Sequence, residues 1–141
     1  MEIPEYLQPG SVLRLFVKDT NPPKTKRFII VGISTDEISI ASVYINSKLN
    51  KKAAWSIELE SLNIFFEKEG RPYLDHNSWI DCSDLIIRDI SEIQIIIQNR
   101  PAAVIGNVSG EDLSLIRQTL NWAHTIKGKT KKKFGLFDSL R

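Results

Sequence analysis

The stretch YLDHNSWIDCSDL, residues 73–85, gathers one of two histidines, the sole cysteine, three aspartates and one of three tryptophans. A metal-free attack on a phosphodiester needs three services. One group removes a proton from the attacking hydroxyl, one returns a proton to the leaving oxygen, and a cation steadies the charge on phosphorus. Histidine suits either proton role, because its ordinary pKa of about 6.5 lies near neutrality. Arginine suits the third, because its planar fork stays charged and grips phosphate oxygens in pairs. His76 lies in a turn ahead of a strand, where functional groups concentrate. Asp75 beside it is expected to fix a tautomer of the imidazole or to raise its basicity, and Ser78 to bond a phosphate oxygen. The structural alternative is that His76, Asn77 and Ser78 cap the turn and organise the start of the strand.

Cationic partners precede this cluster. Arg27 opens the apolar run RFIIVGI, and Lys24 and Lys26 end the proline-broken loop DTNPPKTK. Lys51 and Lys52 fall in a second polar loop, NSKLNKKAAW. If a barrel brings the two loops together, these lysines form a basic groove for single-stranded RNA. Trp55 and Trp79 could stack bases there, although such residues are more often core or interface. Cys82 alternates with Ser78 and Ile80 and reads as a small buried hydrophobe. A reactive thiol needs an electropositive setting, and Asp81 and Asp84 give the opposite. With two histidines and one cysteine, no dedicated metal site and no cofactor are expected.

The elements that must hold these residues follow from periodicity. The 141 residues, 42% hydrophobic and 26% charged, describe an ordinary globular composition. LQPGSVLRLFVK puts a turn at Pro9-Gly10 and then a strand whose Leu13, Leu15 and Val17 share one face. RFIIVGI is apolar throughout, as a strand buried on both sides requires. EISIASVYI is a third strand, SIELESLNIFF contains at least one, and SWIDCSDLII and AAVIGNV supply the last. ISEIQIIIQN is ambiguous: three consecutive isoleucines favour a strand, while Ile90, Ile93 and Ile97 at helical spacing tip the reading towards a short helix. Ser109 and Asp112 form a capping pattern ahead of an apolar stripe of Leu113, Ile116, Leu120 and Ala123, widened by Leu115, Trp122 and Ile126. Arg117 and His124 are left to solvent, and Gly128 is expected to end this helix.

About six short strands and a C-terminal helix predict a mainly β fold, a small barrel closed by that helix. The expected domain is 1–126, with its closing helix at 110–126 and a basic tail at 127–141. Residues 1–100 carry a net charge of −2 and residues 101–141 a net of +4. That asymmetry suggests a polyanion partner or a solvated tail. The apolar FGLF after the lysines is expected to dock onto the body or onto a partner. No apolar run reaches the ~18 residues of a membrane span, and the acidic start lacks a signal peptide's features. A cytoplasmic protein without a membrane contact is the expectation.

Read in order, these segments resemble the PemK/MazF toxin family, in a divergent branch. LQPGSVLRL is similar to the family's opening PGDV strand, and KRFIIVGI to the strand that begins with an arginine. VYINSK resembles the strand end where Ile-Thr-Ser is usual. WIDCSDLIIRDI resembles the strand with an Asp-Gln-Leu core, and IGNVSGEDLSLIRQTL the closing Gly-x-Leu-Ser helix. The likeness covers most of residues 7–126. It implies an SH3-like barrel and a metal-independent endoribonuclease that forms a homodimer and is neutralised by an antitoxin protein. It puts Arg27 at the catalytic arginine and Asn46, followed by Ser47, at the catalytic threonine. Asparagine can bond a phosphate but offers no hydroxyl. The alternative is therefore a barrel that has lost its chemistry and binds RNA or protein.

Overall fold

A computed structural model describes residues 3–49 and 56–137. Lys51, Lys52 and Trp55 lie outside the described residues. The architecture is mainly β, as expected. Seven strands form a strongly curled antiparallel half-barrel, accompanied by four short helices. In chain order the elements are β1 (Ser11–Val17), β2 (Lys24–Ile33), β3 (Ser39–Asn46), α1 (Ile57–Ser61), β4 (Asn63–Phe66), β5 (Ser78–Asp81), β6 (Ile86–Asp89), α2 (Ile90–Asn99), β7 (Val104–Asn107), α3 (Gly110–Trp122) and α4 (Gly128–Lys133). The strand order is β4-β5-β3-β2-β1-β7, with β6 paired to the other half of β3.

The seventh strand comes from a break that periodicity does not reveal. SWIDCSDLII reads as one strand, but the Asp81 carboxylate accepts the backbone N–H of Ser83 at 3.0 Å and its hydroxyl at 2.5 Å. This side-chain turn stops the ladder. β5 pairs with Ile45 and Asn46, and β6 pairs with Ser39 to Ser42. SIELESLNIFF also divides. Ser56 caps the five-residue α1 by accepting Leu59 N–H, and β4 follows. ISEIQIIIQN is the helix α2, capped by Asp89, with Ile90, Ile93 and Ile97 buried.

The sheet separates two cores. Because side chains alternate across a strand, the apolar run of β2 serves both: Ile29 and Val31 enter one, Phe28 and Ile30 the other. The first core packs under α3 and contains Ile45, Phe66, Ile80, Cys82, Ile116 and Leu120. The second lies under α2 and contains Leu13, Leu15, Ile40 and Ile93.

The C-terminal region differs most from expectation. α3 stops at Trp122, which is exposed, and Gly128 starts α4 instead of ending α3. The segment beyond 126 is part of the body: Phe134 and Leu136 are buried in the first core. The backbone comes so close to the sheet that a Cβ at Gly32 would sit 2.7 Å from the Phe134 carbonyl oxygen. Arg117 is buried too. The β2–β3 register shifts between Ile30 and Gly32, and the Arg117 guanidinium donates to the Val31 carbonyl in that bulge and to Gly135 O. Lys131 buries its stem and donates to Asn121 O at 2.7 Å, a cation set against the last carbonyls of α3. The lysine run thus contributes one structural residue, while Lys127, Lys129, Lys132 and Lys133 remain exposed.

Candidate active site

The pleat decides which of the expected residues meet. Arg27 pairs with Ile45, and Ile45 with Ile80. Two residues along from Ile80, on the same face, is Ser78. The end of this face, beyond the first core, opens into a cleft of about 270 Å³. Arg27, Ser47, Asp75, His76 and Ser78 line it, with Lys24, Thr25 and Lys26 along the rim strand. Lys24 and Lys26 belong to the first turns of the β2 ladder rather than to a loop.

Arg27 projects from the sheet with about a quarter of its side chain exposed, and its guanidinium pairs with the Asp75 carboxylate at 2.5 Å. Asp75 therefore serves Arg27, not the neighbouring imidazole. His76 is exposed and lines the same cleft. Ser78 is buried, and its hydroxyl donates to the His76 carbonyl at 2.8 Å. Asn77 completes the turn by accepting Lys68 N–H at 2.8 Å. Ser78 and Asn77 thus do the capping work, which fixes the backbone on which His76 stands and leaves its ring to solvent. Ser47 follows the end of β3, exposed.

Asn46 takes the other face. Its side-chain oxygen accepts from the Lys26 ammonium, which also reaches Ile45 O at 3.3 Å and lies over the Tyr44 ring. Burial lowers the Lys26 pKa, Lys24 adds to that, and Asp81 opposes it. Asn46 and Lys26 line a second hollow of about 290 Å³ with Lys24, Ser47 and Lys48. Ser47, Lys24 and Lys26 border both hollows.

Cys82 is fully buried, and burial pushes its thiol pKa up, which agrees with its reading as a small core residue. His124, two residues past the end of α3, is exposed and faces Glu58 of α1 at 3.5 Å. Among the described residues, no three His, Cys, Asp or Glu side chains gather as a metal site would require, and no helix is long and apolar enough to cross a membrane.

Sequence reasoning passed over two features. Arg71 holds Asp112 through two bonds, 2.9 and 3.1 Å, and lies over the Phe66 ring. It ties the turn that leads to His76 onto the start of α3. The Asp75–Arg27 pair spans 48 residues of sequence, and nothing local in either segment signals it. No protein-family model matches the chain, and no curated protein matches it.

Proposed function

We propose that the protein is a metal-independent endoribonuclease acting on single-stranded RNA. The observation that carries this reading is the open cleft shared by Arg27, His76 and Ser47, with Lys24 at its rim. A phosphate in the cleft takes the Arg27 guanidinium in place of Asp75. The ribose 2′-oxygen attacks phosphorus, the 5′-oxygen leaves, and the ends are a 2′,3′-cyclic phosphate and a 5′-hydroxyl. His76 serves one of the two proton transfers. Among the described residues, Asp75 is the one carboxylate lining the cleft, and once released from Arg27 it is available for the other. Arg27 steadies the charge that builds on the phosphate oxygens. Ser47 is within the cleft to hold a phosphate oxygen, Ser78 fixes the turn under His76, and Asn46 acts through Lys26.

The resemblance to PemK/MazF toxins extends the proposal. The chain would be the toxin of a toxin–antitoxin pair, cytoplasmic, homodimeric and silenced by an antitoxin protein. One pair of observations favours a second reading, a barrel that binds RNA or protein without cutting it. Arg27 is already paired with Asp75, and the Asn46 amide is held by Lys26. Incubating the purified protein with a mixed-sequence RNA in EDTA separates the two. Fragments with cyclic phosphate ends support the nuclease. Retention of RNA without any fragment supports the binding module and ends the nuclease reading.

A further inference from the structure

On the face of the sheet opposite the Arg27 cleft, four strands align a row of side chains. Phe65 of β4 pairs with Trp79 of β5, and Trp79 pairs with Asn46 of β3. Asn46 bonds Lys26 of β2. Three inter-strand spacings of roughly 4.8 Å make this row about 14 Å long. The two rings meet edge to face, with centroids 5.1 Å apart. Neither belongs to a core of the molecule, and Phe65 is 48% exposed. The row therefore runs from the exposed Phe65 and the half-buried Trp79 to an ammonium group, with Lys24 and Lys48 completing the basic end.

We propose that Phe65 and Trp79 form a base-stacking platform for single-stranded RNA, with Lys24, Lys26 and Lys48 taking the adjoining phosphates. The proposal rests on the RNA reading above and adds a second subsite to it. An exposed ring and a half-buried one beside a lysine-lined hollow are the components of a sequence-tolerant single-strand site, where rings take bases and cations follow the backbone. The core of a protein–protein interface is instead depleted in lysine. Burial first, and repulsion from Lys24 second, lower the Lys26 pKa, and a phosphate between Lys24 and Lys26 would offset both. Asp81 acts on Lys26 from the same face and limits the positive charge to the Lys24 and Lys48 side. Ser47 borders both hollows, so a strand crossing the end of β3 reaches the Arg27 cleft and the platform together.

The test uses the full chain with Trp55→Phe and Trp122→Phe, which leaves Trp79 as its sole tryptophan. It is titrated with a 2′-O-methyl octanucleotide, which cannot be cut, and with an abasic strand of equal length. Stacking predicts quenching of Trp79 fluorescence by the base-bearing strand. It also predicts affinity about tenfold weaker for the abasic strand, and a similar loss with Phe65→Ala, a residue exposed enough to replace without unfolding. Equal affinity for both strands, or binding without a change at Trp79, overturns the platform. The two readings fail separately. RNA cutting with an unmoved Trp79 removes the platform alone, and a quenched Trp79 with uncut RNA removes the nuclease alone.

Discussion

The Arg27 guanidinium can serve a phosphate only by exchanging partners. Asp75 holds it at 2.5 Å, and that carboxylate is 63% exposed, so the exchange takes place near water and costs little. Exposed ion pairs contribute roughly 0.2–1 kcal/mol. Asp75→Asn is accordingly expected to raise affinity for uncleavable RNA about two- to fivefold, measured by fluorescence anisotropy. If Asp75 also moves a proton, the same variant cuts more slowly despite binding better. Side-chain direction predicts a second contrast. Arg27→Ala is expected to lower cleavage about 100- to 1000-fold, and His76→Ala by a comparable factor. Asn46→Ala is expected to change it by less than about threefold, because the pleat turns that amide away from Arg27. Initial rates on a fluorogenic RNA measure all three. The residue types were legible in the sequence, and so was the turn that carries His76. The partner of Asp75 was not, because its nearest neighbour in sequence is an imidazole and its partner in space lies on β2.

Alternation and apolar runs were enough to find β1, β2 and β3, because each buries a regular pattern against one core or both. The start of α3 was legible from the Ser109 cap, whereas α2 was legible only in part, because its isoleucines sit at helical spacing yet three in a row also suit a strand. Elements set by single polar contacts were not legible. The Asp81 turn splits one expected strand into β5 and β6, and α1 is a five-residue helix whose sequence also suits a strand. Arg117 and Trp122 exchange their expected environments. The bulge at Val31 exposes a carbonyl that only a long cation from α3 reaches, and α3 ends where Trp122 no longer faces a core. The segment after residue 126 looked like a tail because lysines dominate it, yet Phe134 and Leu136 anchor it. Gly32→Ala forces a Cβ against the Phe134 carbonyl and is expected to cost about 1–3 kcal/mol in urea unfolding. Removing residues 127–141 takes away two buried apolar side chains, Phe134 and Leu136, and is expected to cost more than about 3 kcal/mol. A deletion variant as stable as the full chain would return this segment to the status of a tail.

At the scale of the molecule, the curled sheet is a partition. One face carries the Arg27 cleft above the larger core, and the other carries the aromatic row beside the smaller one. Each core is closed by a ring of buried or half-buried tyrosine. Burial raises the Tyr44 pKa to about 12, helped by the hydrogen bond to Asp19, and raises Tyr73 to about 12, helped by the charge of Asp112. The folded state therefore keeps protons that the unfolded chain releases near pH 10. Stability contributed by these two hydroxyls is complete below pH 10 and is lost as pH rises towards 12. Urea midpoints measured at pH 9 and pH 11 are expected to fall, and to fall less in a Tyr44→Phe, Tyr73→Phe variant. Lys24, Lys26, Arg27 and Lys48 gather at one end of the sheet, around the two hollows, where a single strand of RNA could be held from two sides.

The two histidines allow a direct test of the central claim, because His76 lines the cleft and His124, just past the end of α3, faces Glu58 of α1. The measurement is the imidazole nitrogen–proton NMR spectrum during titration with a 2′-O-methyl RNA that cannot be cut. The account predicts that the His76 resonances move with saturation while those of His124 stay in place, and that Arg27→Ala abolishes the shift. An unmoved His76 in the RNA-bound protein would contradict it.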